Sequence, residues 1–319
     1  MQLNKQRFLN ILVRIAVKVR RLRLCRIMPA GGRAALVKIW RFVTRNRLLR
    51  DIPFGFDAQV SGISFHLRGP FRCAGGEYYV TYLTEGAHEA PVTAHITEVV
   101  RQCPAPRVLD VGAHYGWYTI YLSKVIADRG SVFAFEPSEA VFSFLKRNVE
   151  LNGLHNVRLF KLPLSDKRET ISMVPSKIVS WEARYMHSVA ERGAADDDDY
   201  TSTLEAIPFD ELNEMEAIHP NIVKIDVHGV SRKVVDGMRE SLHKDVEHLY
   251  LQMAAPWGDL SSEYADIQHV ILTLRDAGMD VYQVQDFLKR DGGKMIKADE
   301  NQIAGKGGRF AMLYAVKRR

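Results

Sequence analysis

The chain has 319 residues, with 44 Lys or Arg against 38 Asp or Glu and a formal net charge of +6. That length can bury a full core in one large domain or two small ones. The charge is localised: residues 1–50 carry 14 basic and no acidic side chains, which leaves 30 basic against 38 acidic in the remainder. The body is therefore mildly acidic, which argues against a uniformly basic nucleic-acid binder. Three widely spaced cysteines, Cys25, Cys73 and Cys103, match no metal-ligand pattern and suggest a reducing compartment.

At the N-terminus, "FLNILVRIAVKV" is interrupted by Arg14 and Lys18. It falls short of the ~18 uninterrupted apolar residues of a spanning helix, and the charges also spoil it as a signal-peptide core. As a helix it would place Arg7, Arg14, Lys18 and Arg21 on one face, with Phe8, Leu12, Ile15, Val19 and Leu22 on another. Three readings remain open: a basic amphipathic helix on an anionic membrane surface, a helix docked on the body or a partner, and a mitochondrial targeting peptide. The corresponding locations are the cytoplasm, peripheral on the inner membrane face, or the mitochondrion. After Pro29, Gly31 and Gly32, "AALVKIWRFVTRNRLLR" predicts a second basic helix, completing an arm over residues 1–50.

Residues 51–88 read as a β-rich lead-in, with alternation in "AQVSGISFHLRG" and in "EYYVTYLT". A helix follows at about 89–102 and opens a domain running to residue 319. Apolar strands and helices then alternate: "RVLDVG", a helix to about 127, "SVFAFEP", a helix through "AVFSFLKRNVELN", and "VRLFKLPL". Next come "NIVKIDVHG", a helix from about 231, "HLYLQMA" and a helix over 261–277, before the final strands "VYQVQDF" and "RFAMLYAVK". This order predicts an α/β, doubly wound, mostly parallel sheet closed by an antiparallel C-terminal hairpin. Residues 176–202, with "ADDDDY", read as an irregular polar insertion in which Asp196 to Asp199 form a solvated loop. The glycine-rich "GGKMIKADENQIAGKGGR" lacks a phosphate-loop pattern and predicts a mobile hairpin able to act as a lid.

The chemistry centres on "VLDVGAHYGWYT", residues 108–119. Gly112 permits a sharp turn and Gly116 lets the next helix start close to the strand; a side chain at either is expected to fill ligand space. The following strand ends in Glu136, 26 residues after Asp110, where a carboxylate can accept both hydroxyls of a ribose. A dinucleotide site calls for G-x-G-x-x-G so that a pyrophosphate reaches the helix N-terminus. Here the turn is Gly-x-x-x-Gly behind Asp110, an acid that repels phosphate but suits an amino acid bearing an ammonium and a sulfonium. S-adenosylmethionine (SAM) is therefore favoured over NAD.

Taken together, "VLDVGAHYGWYTIYLS", "FAFEPS", the asparagine in "VELNGLHNVRLF", "LPLSD", "STLEAI" and "VKIDVHG" resemble the FkbM-type SAM-dependent methyltransferases over about residues 85–318. The resemblance implies a class I methyltransferase fold with a seven-stranded sheet and a reversed last strand. It also implies methyl transfer to a hydroxyl of a sugar, glycolipid or polyketide. Carried across, Asp110, Gly112, Ala113, His114 and Gly116 hold the methionine end, Glu136 with Pro137 the ribose, and Ser165 with Asp166 lie beside the adenine. Where the family has "KIDVEG" this chain has His228, and Ser231 and Gln252 stand where acidic residues are usual.

Methyl transfer needs alignment, exclusion of water and removal of the hydroxyl proton. Asp226 and His228 end the "VKIDVHG" strand, and either can serve as the base; an unperturbed histidine titrates at ~6.5. Lys224 reads as an interior strand position whose amine snorkels or pairs with Asp226. The expected partner is a small-molecule, glycan or lipid-linked hydroxyl acceptor, and no metal is called for. Two other classes stay open: an RNA methyltransferase gripping RNA with the arm through Phe8, Trp40 and Phe42, disfavoured by the acidic body, and a membrane-tethered SAM-binding protein without turnover.

Overall fold

The structure is a computed structural model that describes residues 53–70, 78–175, 187–190, 202–227, 229–254, 261–299 and 310–318. The basic arm, with its three readings, lies outside these residues, as do Asp196 to Asp199 and His228. The chain forms two compact units that part between Ala90 and Pro91.

In the first unit, β1 (Pro53–Val60) and β2 (Ile63–Pro70) pair antiparallel through a two-residue turn. Ser61 and Gly62 both have positive φ there (49° and 85°), the geometry that matches strand twist in a tight hairpin. Phe54, Phe56, Ala58 and Val60 alternate as the buried face of β1. The expectation of a strand in "EYYVTYLT" is corrected: Tyr79–Glu85 form a helix, α1. Tyr79 packs on Phe54 and Phe56 with ring centroids 5.4 and 4.9 Å apart, and Tyr82 on Phe56 at 5.9 Å. Tyr82 also accepts the Gln59 N–H at 2.8 Å. Positions 79 and 82 meet one surface only at helical spacing, so packing overrides the β preference of tyrosine.

The second unit contains α2 (Ala90–Gln102), β3 (Arg107–Val111), α3 (Trp117–Ile126), β4 (Ser131–Phe135), α4 (Glu139–Leu151) and β5 (Val157–Phe160). It continues with β6 (Glu169–Pro175), β7 (His187–Ala190), β8 (Ser202–Ala206), α5 (Phe209–Glu216), β9 (Ile222–Asp226), α6 (Ser231–Asp236), α7 (Arg239–Lys244), β10 (His248–Ala254), α8 (Ser261–Asp276), β11 (Met279–Val284), β12 (Met295–Lys297) and β13 (Phe310–Lys317). Eight described strands form one sheet in the order β12-β11-β13-β10-β9-β3-β4-β5. Neighbours from β10 to β5 are parallel, whereas β13 runs antiparallel to both β10 and β11. The strand order reverses beside β3, which puts the β3 and β9 carboxyl ends at the place where open α/β sheets bind ligands.

Two expectations need correcting. The stretch 176–202 is not wholly irregular, because His187–Ala190 form β7, which pairs with β6 in a small sheet β7-β6-β8. The glycine-rich stretch after β11 is not simply a loose hairpin. Met295–Lys297 pair with Tyr282–Val284 as an eighth, edge strand.

The sheet's two faces differ sharply. Leu109, Val111, Phe135, Val223, Ile225, Leu249 and Leu251 point into an apolar core with residues of α5 to α8, such as Phe209, Val235, Leu242 and Ile271. The opposite face carries a lateral row of polar side chains in register: Asp110 beside Lys224, Lys224 beside Tyr250, Tyr250 beside Tyr314. All four are buried; side chains of α2 and α3 bond Tyr250 and Asp110, whereas Tyr314 meets His248 of β10 and Lys224 meets Asp226 of β9. His95 Nδ1 lies 2.6 Å from the Tyr250 hydroxyl, and Thr119 donates to Asp110 Oδ2 at 2.6 Å.

Candidate active site

The carboxyl ends of β3, β4 and β9 bring Asp110, Glu136 and Asp226 to one edge. Gly112 explains how closely. Its φ is +82°, and a Cβ there would stand 2.1 Å from the Asp226 carbonyl oxygen. At Gly116, φ is +93° and a Cβ would meet Leu145 Cδ1 at 2.7 Å. Both glycines clear room for protein as well: Gly112 for the β9 backbone and Gly116 for α4. The Gly112 and Ala113 N–H groups donate to the Phe135 carbonyl, both at 2.9 Å, locking the turn to β4.

Glu136 joins two loops. Its Oε2 accepts the His114 N–H at 3.1 Å and its Oε1 the Ser138 N–H at 2.9 Å, with Pro137 between the last two residues. The carboxyl is buried, and burial pushes its pKa up to about 7 against those two bonds. Each oxygen keeps a lone pair for a hydroxyl donor. His114 adopts φ 52° to present its N–H, a conformation uncommon outside glycine.

Asp110 is fully enclosed. Burial raises its pKa, while the Lys224 ammonium and the Thr119 hydroxyl act the other way. Lys224, 3% exposed, lies 3.3 Å from Asp226 Oδ2 and stacks 4.6 Å from the Tyr118 ring centroid. The expected pairing of Lys224 with Asp226 is therefore present. One buried cation stands between two carboxylates, with an aromatic face beneath it.

Ser165 and Asp166 are not drawn into this cluster. The buried Ser165 hydroxyl bonds Glu169 Oε1 at 2.5 Å and Asp166 Oδ1 at 3.1 Å, and its N–H donates to the Ile207 carbonyl at 3.0 Å. Lys233 completes that separate group by donating to Glu169 at 2.7 Å. Asp166 itself is exposed. Sequence reasoning missed two supporting residues. Asn148 is wholly buried on α4 and donates to the Tyr115 carbonyl at 2.9 Å, holding the turn from behind. Its signal was a polar residue in phase with Val141 and Leu145 on the apolar stripe. Thr119, which holds Asp110, carried no comparable signal. Among the described residues no group of three or more His, Cys, Asp or Glu side chains is placed to hold a metal ion.

Residues 110–281 match the methyltransferase FkbM domain. The chain belongs to the FkbM methyltransferase family. The hexuronic acid methyltransferase AglP of Haloferax volcanii is 33% identical to it over 134 residues, 42% of this chain and 50% of that protein. The match thus spans half the length of that curated relative. Among solved structures, the FkbM methyltransferase of Methylobacillus flagellatus aligns at TM-score 0.36 and 16% identity, over 75% of this chain and 55% of that one. A SAM-dependent methyltransferase of Agrobacterium tumefaciens aligns at TM-score 0.44 and 13% identity, over 83% and 70%. The family uses SAM, and the donor set fits that cofactor: a buried carboxylate with free lone pairs at the β4 end, and a second acid at the β3 turn.

Proposed function

We propose that this protein moves the methyl group of SAM to a hydroxyl oxygen of a sugar or sugar-like acceptor. The observation that carries the reading is the shared edge: Glu136 spanning two loops at the end of β4, with Asp226 two strands away at the end of β9. The family supports methyl transfer, and the AglP relative, whose name gives a hexuronic acid acceptor, supports a carbohydrate.

SAM, when bound, supplies a methyl group on a sulfonium, already activated for displacement. The protein's own part is binding, orientation and one proton. Glu136 accepts the ribose hydroxyls, and the enclosed Asp110 favours the positive charge of the amino-acid end through its own negative charge rather than by contact. Asp226 accepts the proton of the acceptor hydroxyl as the carbon–oxygen bond forms, a role typically worth ~10²–10⁴-fold. Lys224, 3.3 Å from Asp226 Oδ2, holds that carboxylate in position. Gly112 keeps the β3 turn against the Asp226 backbone, so cofactor and acceptor subsites stay adjacent. His228, the other base expected from sequence, lies outside the described residues.

The test is methyl transfer from labelled SAM to a panel of methyl hexosides and methyl hexuronides. Transfer to at least one is expected, lowered ~10²-fold or more in Asp226→Asn while SAM affinity holds within about twofold. A panel left unlabelled, with label instead in RNA or lipid-free protein, contradicts the reading.

For the basic arm we propose attachment to an anionic membrane surface. The support is its sequence: 14 basic side chains without an acid, and apolar residues at the spacing of one helical face.

A further inference from the structure

Gln252, on β10 beside Asp226, has a buried side-chain oxygen, Oε1, without a hydrogen-bond donor among the described residues. An unmatched buried acceptor is costly, so it asks for an explanation. Its position supplies one. Gln252 pairs in parallel register with Asp226 and in antiparallel register with Met312, so its side chain emerges on the same face as that of Asp226. Adjacent strands lie ~4.8 Å apart, which sets the spacing of the two side-chain roots. The Ser231 hydroxyl donates to the Val227 carbonyl at 2.9 Å and lies 3.4 Å from the Gln252 backbone carbonyl, so neither serves the Gln252 side-chain oxygen, the atom without a donor among the described residues.

We propose that Gln252 is a specificity residue that hydrogen-bonds a second hydroxyl of the acceptor, next to the hydroxyl held by Asp226. This rests on the proposed function, and it narrows the acceptor to a compound with two neighbouring hydroxyls, such as a pyranose. A hydroxyl both donates and accepts, so it satisfies the amide in either orientation. A carboxylate at this position would only accept and would add a further negative charge beside Asp226. The neutral amide avoids that repulsion and leaves an anionic sugar tolerable.

The experiment compares the parent with Gln252→Leu, which keeps the volume and removes the hydrogen-bonding end. Without acceptor, Gln252→Leu is expected to raise Tm by roughly 2–4 °C, because the unmatched acceptor is gone. Its SAM affinity should stay within about twofold. With methyl glucoside or methyl glucuronide as acceptor, kcat/KM should fall at least about tenfold. Singly deoxygenated acceptors sharpen the test. Removing the neighbouring hydroxyl should penalise the parent at least about tenfold and Gln252→Leu hardly at all.

A variant that is less stable and equally active overturns the proposal, because Gln252 is then a structural residue. Equal activity with equal penalties on the deoxy acceptors also overturns it, leaving the sugar reading intact. If the parent methylates none of the glycosides, the sugar reading fails, and this proposal fails with it.

Discussion

Glu136 is the residue on which the cofactor account turns, and its acidity gives a direct handle. Burial raises its pKa from 4.5 to about 7 in the folded chain. A group raised on folding contributes stability that is complete below its unfolded value and lost as pH rises through its folded one. The fully buried carboxyl should therefore cost on the order of 3 kcal/mol of stability between pH 4.5 and 7. Chemical denaturation across pH 5–8 should show this loss in the parent and not in Glu136→Gln; parallel profiles would remove Glu136 as its source. Cofactor binding should run the opposite way, strengthening as the carboxylate ionises and its acceptors become available. Gly112→Ala tests the close approach of β3 to β9. Positive φ and a Cβ 2.1 Å from the Asp226 carbonyl should together cost about 2–5 kcal/mol. A variant unfolding at the parent's temperature would mean that the two strand ends are not in contact.

Among the elements, the polar face of the sheet is the least expected feature. Tyr250 and Tyr314 are held protonated by burial, and burial lowers the pKa of His95, so the row from Asp110 to Tyr314 carries charge only at its β3–β9 end. Tyr250→Phe should cost ~1–2 kcal/mol, since it strips the partner from His95. In a double-mutant cycle with His95→Leu the two changes should couple by at least ~0.5 kcal/mol, as judged by denaturant titration. Additive losses would mean that the 2.6 Å contact adds nothing. The parallel strands of the main sheet and the antiparallel C-terminal pair were legible because short apolar runs alternated with helical periods, and the turn because its glycines and acids are local. What escaped is tertiary. Tyr79 and Tyr82 look like strand residues until the hairpin they cover is known. Met295–Lys297 make a strand only because an edge of β11 is open to them. Asp110, Glu136 and Asp226 could be listed from sequence as three strand ends. That Gly112 joins them by backbone contact, and that Ser165 belongs to a separate Glu169–Lys233 group, required the fold.

At the scale of the whole molecule, charge and chemistry are divided between an arm and a body. No helix among the described residues is long and apolar enough to cross a membrane. The arm lies outside them, and because Arg14 and Lys18 interrupt its apolar run, attachment through it is expected to be peripheral. Deleting residues 1–28 should release the protein from mixed phosphatidylcholine–phosphatidylserine vesicles in flotation and leave SAM binding unchanged. Raised salt should mimic the deletion, since each basic side chain near such a surface contributes ~1 kcal/mol. Full-length protein that ignores the vesicles would reassign the arm to docking or targeting. The body's part rests on one edge of one sheet holding SAM. The most direct measurement is a calorimetric titration of SAM into the parent and Glu136→Ala at pH 8. The account predicts saturable one-to-one binding by the parent, weakened by roughly 1.5–3 kcal/mol in the variant. Equal affinity in the two, or no binding to the parent, would contradict it.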